Sequence, residues 1–393
     1  MIVGIDASRA FQKNRTGIEE YSYQVIKNLK DKLTGHQVVL YIKKNQKSKI
    51  KSQNDNSKLK SEELEIPKNW KVKIIKFPYL WTQIGLSLEL LFHPADVLFI
   101  PAHVVPAIHP KNTIVTIHGL EYEFFPQGYS FWARLYMRWS IKLSCRWAKT
   151  VIAVSNNTKK DLMRLYKVPE GKIEVIYEGV NENFEFRISN FETNSNFQNS
   201  NLKIDSKFKI QNSKFILFIG RLEKRKNIEG IIEAYKILKE KYNVSHSLVL
   251  AGKPGYSYEI IKLKIENLFK ISNFKFQIIE LGYVDEKDKP ELIKNADVFL
   301  FPTFYEGFGL PILEAQNMGV PVVTSNISSL PEVGGKSVLY ADPYKPESIA
   351  DAAFRLISDK SLKDDIIEKG HENVKKFSWK KCAEEIARIL REK

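Results

Sequence analysis

Short apolar runs alternate along the chain with stretches of helical periodicity, and this alternation occurs twice. The first series of predicted strands contains MIVGIDA, QVVLYI, VKIIKF, DVLFI, TIVTI, TVIAVS and KIEVIY, and the second contains KFILFIG, SLVLAG, FQIIELG, DVFLFP and PVVTS. Helical patterns lie between them, for example at 17–30, 131–147 and 156–166. Strands that alternate with helices favour parallel sheets covered by helices. The pattern therefore predicts an α/β fold of two Rossmann-like domains that face each other across a cleft.

The break between the two series predicts the domain boundary. Residues 185–213 are rich in Asn, Ser, Lys and Phe, a composition typical of a loop insert or linker. We therefore expect an N-terminal domain over 1–184 and a C-terminal domain over 214–377. The tail at 378–393 has helical periodicity, and we expect it to close the second domain or to pack back on the first.

Composition limits the class of protein. The 393 residues are 43% apolar, which suits two soluble domains with separate cores. Two distant cysteines, Cys145 and Cys382, indicate neither a disulfide framework nor a thiolate metal site and fit a reducing cytosol. The first residues are typical of a strand rather than a signal peptide, and no apolar run is long enough to span a bilayer. We expect a cytoplasmic protein.

Positive charge is concentrated in the first half of the chain. The formal net charge is +15, and residues 1–180 hold 28 Lys and Arg against 16 Asp and Glu. This imbalance favours a polyanionic partner, such as a nucleic acid, an anionic membrane face or a phosphorylated substrate; the alternative is solubility from lysine-rich loops. No nucleic-acid-binding motif is recognisable, so a nucleic-acid partner is disfavoured.

Two predicted helix starts have features of an anion site. After the first strand, Thr16 and Glu19 match a capping box and place Gly17 in the first turn, where a ligand can approach the backbone amides. In FIGRLEKRKNIEG, a strand is followed by Arg221 and Lys226, which suit a diphosphate. The alternative for this second segment is a solvated basic loop, as its further cations Lys224 and Arg225 suggest.

The segment YEGFGLPILEA, residues 305–315, contains a third helix start. Pro311 suits the first helical position, so the helix begins near Gly309–Pro311. Glu306 then lies in the preceding loop and Glu314 about one turn inside the helix. Two carboxylates also suit a glycosidase, but these bracket a helix start and fit a sugar, a phosphate and a nucleoside better.

These segments together resemble the retaining GT-B glycosyltransferases of family 4. The motif that carries the resemblance is E-x7-E, present as Glu306-GFGLPIL-Glu314. The N-terminal half, with VTIHGLEYEFFP and VIAVSNNTKKDL, is similar to the mannosyltransferase-type members that build surface polysaccharides. The companion segments are GRLEKRKN, LGYV, ADVFLFPT, GVPVVTS and LPEVGG, in the expected order.

The resemblance implies a donor site for a nucleotide sugar. Arg221 and Lys226 would hold the diphosphate, with help from the backbone at Gly17. Glu306 would bind hydroxyls of the donor sugar, and Glu314 would bind those of the ribose. Further contacts would come from the backbone amides of Phe308, Gly309 and Leu310 near the sugar, from Tyr283 and Val284 beside the base, and from Gly252 and Lys253 at a strand end.

His118 would face the donor sugar or the acceptor from the N-terminal domain. Many relatives have His-Asp where this chain has His118-Gly119, so the acceptor side departs from the family pattern; the alternative is a structural histidine. The neighbouring His103 and His109 have no companions at metal-ligand spacing. The resemblance implies no essential metal, since Arg, Lys and the helix dipole neutralise the leaving group.

The implied reaction is retaining transfer of a sugar, with mannose from GDP-mannose as the first expectation. The acceptor would be a glycan or a lipid-linked glycan. His118, Arg221, Lys226 and Glu306 are the expected catalytic residues. The alternatives are a transferase that uses UDP-glucose or UDP-N-acetylglucosamine, and a protein of the same fold that binds or epimerises sugar nucleotides without transfer.

Residues 128–149 interleave aromatic and basic side chains. At helical spacing, Trp132, Leu135, Trp139 and Leu143 form one stripe. Such a helix, with the apolar stretch at 78–92, is suited to the surface of an anionic membrane. The alternative, which we favour from sequence, is a domain helix whose apolar stripe meets the sheet. The basic stripe consists of Arg134, Arg138, Lys142, Arg146 and Lys149.

Overall fold

The chain folds into two compact units in the computed structural model. Unit 1 comprises Met1–Gly179 and Trp379–Lys393, and unit 2 comprises Val180–Ser378. The predicted insert at 185–213 and the predicted boundary after residue 184 lie outside the described residues. The structure describes residues 1–12, 15–52, 64–180, 214–271 and 276–392.

A parallel sheet of seven strands forms the centre of unit 1. Its strands are β1 (Ile2–Asp6), β2 (Gln37–Lys43), β5 (Trp70–Ile75), β6 (Val97–Ile100), β7 (Asn112–Ile117), β8 (Thr150–Ala153) and β9 (Ile173–Val175), and a separate parallel pair is formed by β3 (Ile50–Ser52) and β4 (Leu64–Ile66). The strand order is β5-β2-β1-β6-β7-β8-β9. All seven apolar runs predicted for this half are strands of this sheet.

Helices cover both faces of this sheet. They are α1 (Gly17–Leu29), a π-helical turn (Trp81–Leu86), α2 (Ser87–Phe92), α3 (Glu121–Phe124), α4 (Phe131–Trp147) and α5 (Asn156–Tyr166). One core joins the π-helical turn, α2, α4 and α5 to one face, with Trp81, Leu98, Val115 and Ile141 among its buried residues. The hydroxyl groups of Tyr21 in α1 and Thr116 in β7 lie 3.1 Å apart on the opposite face. Burial on both faces explains why these strands are continuous apolar runs.

Unit 2 repeats the architecture with six parallel strands. They are β10 (Phe215–Ile219), β11 (Ser247–Ala251), β12 (Ile278–Gly282), β13 (Val298–Phe301), β14 (Val322–Ser325) and β15 (Leu339–Ala341), in the order β12-β11-β10-β13-β14-β15. The helices are α6 (Ile228–Glu240), α7 (Tyr258–Ile271), α8 (Lys289–Lys294), α9 (Leu310–Asn317), α10 (Leu330–Gly334), α11 (Pro346–Ser358) and α12 (Lys360–Val374). The predicted α/β class with parallel sheets is confirmed for both units.

The last helix, α13 (Trp379–Arg391), belongs to unit 1 and packs on α1. The rings of Trp379 and Tyr21 are 5.9 Å apart in an edge-to-face contact. A guanidinium nitrogen of Arg391 donates to the carbonyl oxygen of Lys32 at 2.6 Å. None of the helices in the described parts of the chain has the length and hydropathy of a membrane span.

Candidate active site

The order of the strands in unit 2 marks one edge of the sheet as a place for a ligand. The chain runs outward from β10 to β11 and β12 and then returns to β13, so the order reverses between β10 and β13. Doubly wound sheets bind ligands at the C-terminal ends of such neighbouring strands. The loop after β10 carries Arg221 and Lys226, and the loop after β13 carries Glu306 and leads into α9.

The carboxylate of Glu306 is bound by two cations at this edge. The amine of Lys226 donates to Glu306 Oε1 at 2.5 Å, and Arg225 Nη1 donates to the same oxygen at 3.2 Å. Arg225 also donates to the carbonyl oxygen of Tyr305 at 2.8 Å and to Glu223 Oε1 at 2.8 Å. Sequence reasoning missed Arg225, which it grouped with a solvated loop, whereas the side chain is mostly buried.

The charges in this cluster depend on burial and on the two cations. Burial alone would raise the pKa of Glu306, but the charges of Lys226 and Arg225 hold that pKa below its ordinary value of 4.5. Burial lowers the pKa of Lys226 more than the contact with Glu306 raises it, and the charge of Arg225 adds to the lowering. The loop therefore presents an ionised carboxylate directly beside the amine of Lys226 and the guanidinium of Arg225, a combination that can bind hydroxyl and phosphate groups together.

Arg221 differs from its neighbours because its side chain is exposed. No side chain or carbonyl oxygen among the described residues accepts a hydrogen bond from its guanidinium. Its aliphatic stem passes Gly255, where an added Cβ would lie 2.7 Å from Cγ of Arg221. The absence of a side chain at Gly255 therefore leaves room for the stem of Arg221.

The helix α9 begins where the sequence predicted. Gly309, at φ 121°, is the N-cap, and Pro311 is in the first turn. Ser328 fixes the preceding loop: its hydroxyl accepts from the amide of Glu306 at 3.1 Å and donates to the carbonyl oxygen of Glu306 at 2.7 Å. The hydroxyl of Ser329 donates to the carbonyl oxygen of Phe308 at 2.6 Å. The loop that carries Glu306 is therefore held by neighbouring serines.

Glu314 lies inside α9, and only one of its two carboxylate oxygens accepts a hydrogen bond from the described residues. Its Oε1 accepts from the amine of Lys289 at 3.3 Å, and Lys289 also contacts Glu286 at 2.9 Å. Burial would lower the pKa of Lys289, but Glu314 and Glu286 raise it above the ordinary value. Within the described ranges, the buried Glu314 Oε2 has no hydrogen-bond partner. A buried acceptor without a donor is costly, so this oxygen is suited to a ligand hydroxyl. Sequence reasoning did not identify Lys289.

The ends of β10, β11 and β12 approach one another closely. Gly252 donates its amide hydrogen to the carbonyl oxygen of Gly282 at 2.7 Å. A Cβ at Gly252 would lie 1.7 Å from the carbonyl oxygen of Gly220, so only glycine fits there. The amine of Lys253 lies 4.5 Å from the centre of the Tyr283 ring, and the adjacent Val284 is buried. The structure thus brings Gly252 and Lys253, which were predicted to lie at a strand end, close to Tyr283 and Val284, which were predicted to lie beside the base.

His118 lies in unit 1, where it follows β7. Its Nδ1 is 3.1 Å from Glu178 Oε1 and its Nε2 is 2.8 Å from the carbonyl oxygen of Pro101. The His118 side chain is 8% exposed. Burial lowers the pKa of the neighbouring His103 well below its ordinary value, and the charges of His118 and Arg9 add to this. A direct contact of His118 with a sugar stays a prediction, and Glu178 is a partner that the sequence did not reveal.

Gly17 stands at the start of α1, as predicted. The backbone amide of Thr16 donates to Glu19 Oε2 at 3.3 Å, and both halves of the capping box are formed. A Cβ at Gly17 would meet nothing within 4 Å, so the approach to the first amides is open. Within the described ranges, no group of three or more His, Cys, Asp or Glu side chains is arranged to hold a metal ion.

Known families match both halves of the chain. The family Glycosyltransferase Family 4 matches residues 15–184, and the family Glycosyl transferases group 1 matches residues 200–373. O-antigen chain mannosyltransferase B of Escherichia coli is 31% identical over 272 residues, which are 69% of this chain and 68% of that protein. The capsular polysaccharide biosynthesis glycosyltransferase CapM of Staphylococcus aureus is 30% identical, over 70% of this chain and 68% of its own length.

Solved structures show the same fold. WaaG, a glycosyltransferase involved in lipopolysaccharide biosynthesis, superimposes with a TM-score of 0.70 at 17% identity, over 100% of both chains. HepE of Anabaena, solved in complex with UDP and glucose, gives 0.68 at 16% identity, over 100% of this chain and 99% of that one. The chain therefore belongs to the glycosyltransferases of family 4, has the GT-B fold, and is a transferase enzyme.

Proposed function

We propose that the protein is a retaining glycosyltransferase that uses a nucleotide sugar, with GDP-mannose as the donor. The acceptor is a glycan or a lipid-linked glycan in the synthesis of a surface polysaccharide. The observation that carries this proposal is the Glu306 carboxylate bound by Lys226 and Arg225, which lie on the loop that also carries the exposed Arg221. The choice of mannose rests on the O-antigen mannosyltransferase among the relatives.

The proposed donor site lies at the C-terminal edge of the sheet in unit 2, between the loop after β10 and the helix α9. Arg221 and Lys226 bind the diphosphate, because a guanidinium and an ammonium together match its charge and its oxygens. Glu306 accepts hydrogen bonds from sugar hydroxyls, and Glu314 accepts them from the ribose through Oε2. The proposed site extends to the amides of Phe308, Gly309 and Leu310 at the start of α9, where a helix terminus favours negative charge.

The reaction breaks the bond between the anomeric carbon and a diphosphate oxygen. The acceptor hydroxyl forms a new bond to that carbon on the same face, and its proton passes to a diphosphate oxygen. Arg221 and Lys226 stabilise the charge that develops on the leaving group. Glu306 does not act as the nucleophile, because a carboxylate that is bound by two cations is a weak one. Since these cations supply the neutralising charge, the proposal requires no essential metal.

Binding measurements by calorimetry test the donor site. GDP, UDP, ADP, GDP-mannose and UDP-glucose are titrated without added metal and again with magnesium. We expect GDP and GDP-mannose to bind without metal, and Arg221→Ala and Glu314→Ala to weaken both. Binding of uridine nucleotides in their place would support a UDP-glucose or UDP-N-acetylglucosamine donor. If none of these ligands binds, the proposed site is wrong.

An assay for the product tests transfer itself. Incubation with the bound donor and a lipid-linked glycan should yield a longer glycan and free nucleoside diphosphate, with the α-linkage of the donor kept. Nucleotide-sugar binding without acceptor-dependent product would favour a protein of the same fold that binds or epimerises the donor. We also propose that the enzyme works at the cytoplasmic face of a membrane, where a lipid-linked acceptor is within reach.

A further inference from the structure

The helix α4 exposes most of its aromatic side chains. Trp132 and Trp139 are 76% and 60% exposed, and Phe131, Leu135 and Tyr136 are also exposed. The residues of α4 that are buried against the sheet are Ser140, Ile141, Ser144 and Cys145. The stripe that contains Trp132 and Trp139 therefore faces away from the domain, and the sequence-based interpretation that it meets the sheet is wrong. Exposed apolar patches of this kind mark interaction sites.

A second exposed apolar group lies on the segment that leads into α2. Phe92, at the end of α2, is 72% exposed, and Tyr79 and Leu80, before the π-helical turn, are exposed as well. This segment anchors itself with other residues, since Trp81, Leu86 and Leu90 enter the core. Its remaining exposed side chains are Phe77, Ile84, Leu88 and Leu91.

Both groups lie in the same helical layer of unit 1. The π-helical turn, α2 and α4 pack on one face of the sheet through a single core. The loop at 105–108 joins them: Gln83 Nε2 donates to the carbonyl oxygen of Val105 at 3.1 Å, and the amide of Val105 donates to Ser144 Oγ at 2.9 Å. The next contact along the loop runs from the amide of Ile108 to Ser87 Oγ at 3.2 Å, and Ile108 itself is exposed. The two apolar groups thus belong to one outer side.

The charged residues of α4 itself have one sign. Residues 126–149 contain five Lys and Arg side chains and no Asp or Glu. Arg138 is paired with Glu123 from α3 through both carboxylate oxygens. Lys142 and Arg146 are exposed next to the aromatic stripe. Exposed tryptophan and tyrosine side chains beside lysine and arginine suit the headgroup region of an anionic bilayer, where the rings are half-buried and the cations meet lipid phosphates.

We propose that α4 and residues 77–92 form a docking surface for an anionic lipid bilayer. In this arrangement α4 lies parallel to the membrane, its aromatic stripe enters the headgroup region, and Lys142 and Arg146 contact lipid phosphates. The inference deepens the proposed function and rests on it only for the lipid-linked acceptor. The proposed partner is lipid because the exposed Lys142 and Arg146, beside the exposed aromatic side chains, are complementary to anionic headgroups.

Vesicle co-sedimentation tests this surface without a need for transfer activity. The full chain is mixed with vesicles of phosphatidylcholine alone and with vesicles that also contain phosphatidylglycerol, at low and high salt. We expect binding to the anionic vesicles only, and we expect high salt to weaken it. Tryptophan emission should shift to shorter wavelength on binding, because Trp132 and Trp139 leave water.

Two double variants separate the apolar and the charged contributions. Trp132→Ala with Trp139→Ala should abolish the emission shift and reduce binding at least about tenfold, since two large apolar side chains no longer enter the bilayer. Lys142→Glu with Arg146→Glu should weaken binding roughly 30-fold or more, at about fivefold for each cation lost. The matched control is Lys262→Glu with Leu263→Ala, an exposed pair on α7 of unit 2 that should bind like the parent chain.

Several outcomes would overturn the proposal. Equal binding of the parent chain to neutral and anionic vesicles would do so, as would unchanged binding of either surface variant. A concentration-dependent dimer that the tryptophan variant loses, without vesicle binding, would assign the surface to a second copy of the chain. GDP titrations on the same variants separate this inference from the proposed function. A surface variant that binds GDP but no longer binds vesicles supports the docking surface. If the parent chain itself does not bind GDP, this result counts against the donor site alone.

Discussion

The carboxylate of Glu178 lies 3.1 Å from Nδ1 of His118, although 60 residues separate them in the chain. The other ring nitrogen faces the carbonyl oxygen of Pro101 at 2.8 Å, so both nitrogens meet acceptors. Both side chains are almost fully buried, so Glu178 and Pro101 together fix the orientation of the His118 ring.

Replacement of Glu178 by alanine should destabilise unit 1. The variant leaves Nδ1 of the buried His118 ring without its polar partner, and we expect the free energy of unfolding to fall by about 1–3 kcal/mol. Urea denaturation of Glu178→Ala, His118→Ala and the double variant measures the coupling. The double variant should lose less than the sum of the single losses, and simple additivity would contradict a specific pair. Glu174→Ala, an exposed acid 3.8 Å from Arg388, should change stability by less than about 1 kcal/mol.

Replacement of Lys226 by alanine should act mainly on turnover. In the proposed reaction its ammonium stabilises charge that develops as the diphosphate leaves, so we expect kcat to fall roughly 100-fold, or about 3 kcal/mol of barrier. Steady-state kinetics at saturating donor measure this effect. The neighbouring Lys224 is exposed, and Lys224→Ala is the matched control with near-parental turnover. Unchanged kcat in Lys226→Ala would remove the residue from the leaving-group site.

Replacement of Glu314 by glutamine should weaken nucleotide binding and leave kcat nearly unchanged. The amide keeps the shape of the side chain but loses the charge-assisted hydrogen bond that Oε2 offers to a hydroxyl, and we expect Kd to rise about tenfold. Calorimetry with GDP measures the change. Glu291→Gln, an exposed acid on α8, controls for a general effect of lost charge. The affinity of a deoxyribose nucleotide should differ less between the parent chain and Glu314→Gln than the affinity of GDP does. An equally large difference would contradict the ribose contact.

The contacts of Glu306 should make part of the stability depend on acid pH. Its pKa in the folded chain lies below the ordinary value of 4.5, because two cations stabilise the ionised form. Its contribution is therefore complete above pH 4.5 and is lost as the pH falls through the lower folded value. Urea denaturation at several pH values should show parental stability exceeding that of Glu306→Gln by about 2 kcal/mol near neutrality, and less in acid. A difference that does not change with pH would contradict the charged pairing.

The sequence predicted the elements of the fold because each depends on neighbours along the chain. The start of α9 at Leu310 follows from Pro311 and from the glycine before it, and the capping box at Thr16 fixes the start of α1. The strands of both sheets are buried on both faces, so each is visible as an apolar run. The short strand β15, which lies in the apolar run at 338–341, escaped notice.

Contacts between residues that are far apart in the chain could not be predicted from the sequence. Arg225 and Glu306 are 81 positions apart, and nothing in GRLEKRKN distinguishes Arg225 from Lys224. Which of the two turns inward depends on the register between β10 and β13, and this register forms only in the folded sheet. The prediction of which face of α4 packs on the sheet was wrong for a related reason. Two stripes fit the periodicity of the helix, and small residues such as Ser144 allow close packing where larger apolar ones were expected.

The shared oxygen of Glu306 gives the loop an internal counterion. Lys226 and Arg225 both donate to Oε1, and Arg225 also binds Glu223, so the two acids offset the charges of the two basic side chains before an anion arrives. In a site that binds a donor as we propose, the diphosphate takes over part of this balance, and the carboxylate is then released toward the sugar hydroxyls. Because a free inorganic phosphate carries no sugar hydroxyls for the released carboxylate, such an exchange favours the intact nucleotide sugar over simple anions. The ion pair then contributes to the selectivity for the donor and also stabilises the loop.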